Sequence, residues 1–132
     1  MSLDDEKRRT LVRLYWNKAT LTLDEFESAV RDSKWCMAAN RMYYSLFHAV
    51  TALLVQDGHQ AATHKGVKAE LGLNYVKTGV LSTEEARVFA HLATLRERAD
   101  YDVIFTASEQ DILDLTPSAK ALFNKIATML SL

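Results

Sequence analysis

The sequence predicts an all-α protein, an up-and-down bundle of about five helices, on three observations. One proline and four glycines in 132 residues leave little room for a strand-and-turn architecture. Apolar residues recur at three-and-four spacing through most of the chain, the period of a helix face turned to a core. The segment from Cys36 to Gly58 is apolar on nearly every side, as expected of a central helix enclosed by others.

Each element has its own signals. Residues 4–32 lack Gly and Pro, and Leu11, Leu14, Tyr15, Ala19, Leu23, Phe26 and Val30 trace one apolar face. Asp4, Asp5 and Glu6 suit the positive end of the helix dipole, with Ser2 or Asp4 as the cap. Thr20 and Thr22 are mediocre helix formers, which admits a break near residue 20. Asp32-Ser33-Lys34 makes a turn, with Ser33 expected to cap the central helix. Residues 59–63 are polar and small, a loop. A shorter helix runs from about His64 to Lys77, with Val67, Leu71 and Tyr75 facing inward and Thr78-Gly79 closing it. Ser82-Thr83-Glu84-Glu85 is a capping box and starts a helix that reaches about Tyr101, with Val88, Phe89, Leu92, Leu95 and Ala99 as its core stripe. Ser108 to Asp111 repeats the capping pattern before the last helix, which carries Ile112, Leu115, Ala119, Leu122, Phe123, Ile126 and Leu130. Pro117 either opens a new helix capped by Thr116 or kinks the existing one.

Composition bounds the rest. With 48% apolar and 25% charged residues, the 132 residues read as one globular domain, 1–132. The net charge of −1 gives no global basic field, so any RNA contact must be local. No DNA-binding motif is present. The lone Cys36 makes no internal disulfide and suits a reducing, cytoplasmic setting. No signal peptide is recognised, and the longest charge-free run, 42–56, is too short to span a bilayer, so no membrane association is expected. His48, His59, His64 and His91 have no metal-ligand spacing, so no metal is expected. No glycine-rich phosphate loop appears, and no cofactor is expected.

Polar residues that break the apolar pattern are the candidate site. Arg41 and His48 lie seven residues apart on nearly one face of the central helix, about 10 Å along its axis, with Tyr44 between them and Asn40 and Ser45 beside. An arginine on so apolar a helix needs a carboxylate, a carbonyl or a ligand anion. Asp100 is the expected partner, and Arg96, one turn before it, would join them. Structural readings stand beside this one: Arg41 as a tie between helices, His48 as a core histidine, Arg96 and Asp100 as a local ion pair.

The stretch AANRMYYSLFHA, residues 38–49, resembles the HEPN superfamily, and within it small stand-alone prokaryotic proteins of the UPF0332-like group. Thr63-His64-Lys65-Gly66-Val67, Val76-Lys77-Thr78-Gly79-Val80-Leu81 and Leu95-Arg96-Glu97-Arg98-Ala99-Asp100-Tyr101 continue the likeness in order. The resemblance implies a helical bundle and a binding site drawn from Arg41, Tyr44, His48, His64, Arg96, Asp100 and Tyr101. HEPN ribonucleases carry an Arg followed at short spacing by a His near the end of the fourth helix. Here that place holds Arg96 to Tyr101, with Arg and Tyr present and no His. The expected function is therefore a non-catalytic module of a toxin–antitoxin-type system. It would bind a nucleotide, an RNA phosphate or a partner nucleotidyltransferase. The alternative is a metal-independent ribonuclease using Arg41 or Arg96 with His48 across a dimer cleft. A homodimer is expected, through apolar surplus on the central and fourth helices.

Overall fold

A computed structural model describes residues 3–60 and 63–132, and within them the chain is all-helical. The order is α1 (Leu3–Arg31), α2 (Trp35–Gln56), α3 (His64–Leu71) continuing into a π-helical turn (Gly72–Val76), α4 (Thr83–Tyr101) and α5 (Glu109–Met129). Helix α2 is the centre, packing against α1, α3, α4 and α5. Its buried residues include Ala39, Tyr43, Leu46, Val50 and Leu53, so the all-round apolar character expresses enclosure.

Helix α1 runs without a break through Thr20 and Thr22, whose hydroxyls donate to the carbonyls of Asn17 (2.9 Å) and Lys18 (2.7 Å). Those bonds satisfy the threonines inside the helix, and the expected interruption is absent. The helix already includes Leu3, so Asp4 sits in its first turn rather than capping it, and Ser2 lies outside the described residues. The buried face is Val12, Ala19, Thr22, Phe26 and Ala29, whereas Leu11 and Leu14, expected in the core, are 41% and 59% exposed. Two neighbouring apolar stripes exist on α1, and periodicity alone does not say which one faces α2.

Ser33 does not cap α2. It stands at φ 55°, in the left-handed region. The Ser33 and Lys34 amides donate to the carbonyls of Val30 (3.1 Å) and Ala29 (2.9 Å), closing the end of α1. This is the Schellman pattern, with Ser where Gly is usual. Gly58, at φ 81°, closes α2 in the same way. Thr63 caps α3 by accepting from the Gly66 amide at 2.9 Å. Both capping boxes are as expected: Ser82 with Glu85, and Ser108 with Asp111. Glu85 also accepts from Lys125 Nζ at 2.8 Å, tying the start of α4 to α5. Helix α5 continues through Pro117, and the Thr116 hydroxyl donates to the Ile112 carbonyl instead of capping a new helix. Among the described residues, no helix is long and apolar enough to cross a membrane.

Candidate functional site

The helix order brings the middle of α2 against the start of α3 and the end of α4, and the candidate residues meet there. Arg96 is the unusual member. An α4 side chain in the core stripe, it is 9% exposed, although it carries a charge. Its guanidinium carbon lies 5.0 Å from the Tyr43 ring centroid, 5.6 Å from Tyr44 and 5.9 Å from Tyr101. Such positions attract a cation to the ring faces. Its one ion pair is loose, Nη1 to Asp100 Oδ2 at 3.8 Å. Arg96 Nε is buried and has no hydrogen-bond partner.

Tyr44 is the shared wall. The guanidinium carbons of Arg96 and Arg41 both lie 5.6 Å from its ring centroid. It meets the His64 ring edge-on at 5.6 Å and the His48 ring at 6.0 Å. The Tyr43 hydroxyl shares a 2.8 Å hydrogen bond with His64 Nδ1. Burial pushes that hydroxyl up to about 12, against the opposing pull of Arg96. His64 itself is shifted down, by desolvation first and then by the Arg96 charge.

Arg41 does not reach Asp100. Its Nη1 donates to Glu25 Oε1 on α1 at 3.2 Å, and Nε and Nη2 donate to Asn40 Oδ1 at 2.9 and 2.6 Å. Asn40 turns its other end to Asp100, with Nδ2 to Oδ2 at 2.9 Å. The expected direct pair is therefore replaced by a relay, Glu25–Arg41–Asn40–Asp100–Arg96. The reason is geometric: α1 packs along α2, so the Glu25 carboxylate reaches the Arg41 side of α2, while Asp100 projects from the other flank. All seven candidates, Arg41, Tyr44, His48, His64, Arg96, Asp100 and Tyr101, still belong to one connected cluster.

His48 sits on the α1 side of Tyr44. Its Nδ1 is buried without a partner, and burial, followed by the charges of Lys18 and Arg41, lowers its pKa to about 4. At neutral pH it is an uncharged imidazole. Tyr101 is 73% exposed at the rim. Beside it lies a shallow groove of about 340 Å³ lined by Thr94, Glu97, Arg98, Tyr101 and Asp102. A cavity of about 460 Å³ near Arg8, Arg9, Arg13 and Gln56 lies toward the far end of α2 and does not adjoin the cluster. No group of three His, Cys, Asp or Glu side chains arranged to hold a metal is found among the described residues.

Residue-type reasoning missed Glu25 and Tyr43 as members, and it placed Asn40 beside Tyr44 without giving it a role. Asn40 had a signal, since it precedes Arg41 on a helix with few polar residues. Tyr43 reads from spacing as an ordinary core aromatic, and Glu25 as one acid among several on α1.

The arrangement defines a class: a small helical bundle in which Arg41 of the central helix and Arg96 of α4 lie against tyrosine rings. Residues 12–129 match the HEPN domain family, and the chain belongs to it. A UPF0332 protein of Thermotoga maritima is 28% identical over 117 residues, 88% of this chain and 89% of that protein. A protein of Methanocaldococcus jannaschii named "Putative toxin MJ0142" is 27% identical over 118 residues, 89% of this chain and 80% of its own. The UPF0332 protein PH1297 of Pyrococcus horikoshii is 34% identical over 74 residues, 54% of this chain and 52% of its own.

Proposed function

We propose that this HEPN protein acts in a toxin-type system by holding the phosphate of a nucleotide or RNA at the Arg96–Tyr44 cluster without cleaving it. The name of the Methanocaldococcus relative supports the toxin-type role. One observation carries the binding reading: Arg96 is a buried cation whose Nε has no hydrogen-bond partner and whose ion pair with Asp100 is loose, at 3.8 Å, so that its compensation comes mostly from tyrosines. A buried charge without a close carboxylate is costly, and an incoming anion would relieve it. Tyr44 and the exposed Tyr101 offer ring faces for a base beside that anion.

The same geometry disfavours cutting. Metal-independent cleavage at a ribose 2′-hydroxyl needs a proton carrier with a pKa near the working pH. His48 is lowered to about 4, and the Nδ1 of His64 is engaged by the Tyr43 hydroxyl. Arg41 is compensated by Glu25, which leaves Arg96 as the anion ligand of this reading.

Fluorescence anisotropy with labelled single-stranded RNA and with a labelled adenine nucleotide tests binding, and a gel of the same RNA, with and without EDTA, tests cleavage. The expected result is binding that falls at least tenfold in Arg96→Met, with intact RNA. Cleavage that persists in EDTA and vanishes in His48→Ala would establish the ribonuclease instead. If a partner nucleotidyltransferase docks on this face, it should co-purify with the wild type and be lost with Arg96→Met. Retention by that variant would place it elsewhere.

A further inference from the structure

The hydrogen bond between Tyr43 and His64 has a direction, and that direction decides what His64 offers a ligand. The Tyr43 hydroxyl and His64 Nδ1 are 2.8 Å apart, and the shared proton belongs to one of them. Tyr43 is 1% exposed, so its hydroxyl proton needs an acceptor inside the protein. Among the described residues, His64 Nδ1 is the acceptor within its reach. The guanidinium of Arg96 also bonds the phenol oxygen, and a guanidinium has donors only. Arg96 therefore donates to the Tyr43 oxygen, and Tyr43 donates to His64 Nδ1. The imidazole proton is left on Nε2. A hydrogen on Nδ1 would strand the buried phenol proton without an acceptor, which is costly.

The ring is held as firmly as its proton. It stacks on Tyr43 with centroids 5.7 Å apart, lies 4.6 Å from the Phe47 ring and meets Tyr44 edge-on at 5.6 Å. Nδ1 is turned inward to Tyr43, so Nε2–H points away from it, on a residue that is exposed. The titratable groups around the ring are Tyr43 and Tyr44 of α2 and Arg96 of α4, with Lys65 and Lys68 on its own helix. His64 has no ion pair with a carboxylate among the described residues. A charged imidazole would carry a hydrogen on Nδ1 as well, against the bond from Tyr43. That opposition acts in the same direction as desolvation and the Arg96 charge, which lower His64.

We propose that Tyr43 is a positioning residue that holds His64 as the neutral Nε2–H tautomer, so that His64 is a second, uncharged donor to the phosphate bound at Arg96. The donor role rests on the phosphate-binding reading of the cluster, whereas the tautomer does not. Arg96 supplies charge and His64 supplies direction, each fixed by the same phenol. Both nitrogens of His64 are then engaged, Nδ1 as acceptor and Nε2 as donor. No lone pair remains to take the proton of a ribose 2′-hydroxyl.

Nitrogen-15 NMR of histidine-labelled protein reads the tautomer with no ligand present. At pH 7 the His64 signals should be those of a single Nε2–H form. Tyr43→Phe removes only the hydroxyl and should keep the circular dichroism, while the His64 titration midpoint rises toward its ordinary value. Binding is read by anisotropy with single-stranded RNA, whose phosphodiesters do not titrate between pH 8 and pH 6. His64→Leu should weaken it about tenfold, the loss of one hydrogen bond to a charged group. His64→Gln, whose side-chain amide restores a neutral donor, should recover most of that loss, which a merely structural role would not predict. Wild-type affinity should stay flat from pH 8 to pH 6, whereas Tyr43→Phe should bind more tightly as pH falls, because its His64 gains charge. An Nδ1–H form or a mixture, a midpoint unmoved by Tyr43→Phe, or undiminished RNA binding in His64→Leu would each overturn the proposal. If the wild type binds RNA no better than Arg96→Met, the phosphate reading falls and takes the donor role with it, while the NMR result still decides the tautomer.

Discussion

Replacing Arg96 by Met separates a functional cation from a structural one. In favour of the arginine stand its three ring contacts, at 5.0, 5.6 and 5.9 Å. Desolvated cation–π contacts are worth up to about 2 kcal/mol, and three sharing one cation do not add in full. The 3.8 Å pair with Asp100 adds little, since the Asp100 side chain keeps 26% of its exposure. Against it stand the desolvation of a guanidinium that is 11% exposed, several kcal/mol after relaxation, and the unbonded Nε, about 1–3 kcal/mol. Met keeps most of the volume and makes sulfur–aromatic contacts of about 0.3–1.5 kcal/mol with the same rings. Met also loses the hydrogen bond that Arg96 shares with Tyr43, and since replacing buried ions by apolar groups of similar volume ranges from neutral to a few kcal/mol stabilising, the balance is taken as about 0–2 kcal/mol in favour of Met. For a chain of this length that raises the melting temperature by up to about 8 °C, while phosphate binding is lost. Chemical denaturation followed by circular dichroism at pH 7, beside the anisotropy assay, measures both. A stability loss above about 1 kcal/mol with an unchanged denaturant slope would refute the reasoning and make Arg96 a brace.

His48 makes stability depend on pH. Its folded pKa of about 4 lies below the unfolded value of 6.5, so the unfolded chain binds more protons in that window. Stability is therefore full above about 6.5 and falls, by roughly 1–3 kcal/mol, as pH drops to about 4. His48→Phe should remove that part of the slope in denaturation at pH 7 and pH 4.5, and an unaltered slope would contradict it. His64, also lowered, acts in the same direction, so His64→Gln serves as the parallel control. Glu85 is depressed, chiefly by its bond from Lys125 and then by the Ser82 amide. Its contribution is present above the unfolded carboxyl value and fades as pH falls through the folded one. Ser82→Ala should cost about 1 kcal/mol; a change indistinguishable from zero would mean that the box does not hold the start of α4. Leu46→Ala, fully buried on α2, should cost about 2–5 kcal/mol, and a loss below 1 kcal/mol would question the central place of α2.

What was legible in the sequence was local or exhaustive. The Ser82 and Ser108 boxes are written within four residues, and they form as read. The enclosure of α2 follows from an apolar pattern with no free side. Less legible was anything decided by how two helices lie on each other. The partner of Arg41 is Glu25 rather than Asp100 because α1 lies along α2, and nothing in either sequence segment ranks the two carboxylates. The turn at Asp32-Ser33-Lys34 was legible, but its left-handed form was not, because a left-handed serine carries no compositional mark, unlike Gly58. On α1, Leu11 and Leu14 fit a core period as well as Val12 does, and only the packed structure shows that they face outward.

Local preference, capping and burial agree along most of this chain, and the unmet polar capacity of its buried side chains gathers in one place. Among the described residues, the buried side-chain polar atoms without a hydrogen-bond partner are His48 Nδ1 and Arg96 Nε. Native cores rarely leave such groups unpaired, and those that persist mark strain or function. These two lie on different helices, His48 on α2 and Arg96 on α4, yet both neighbour Tyr44. A bundle selected for stability alone would place Leu or Met at position 96, as the apolar stripe of α4 requires. It would not need a relay of Asn40 between two ion pairs that could close without it. The concentration of unmet polar capacity around a single tyrosine ring, on the helix that touches every other, is therefore the strongest physical reason to look for a ligand there.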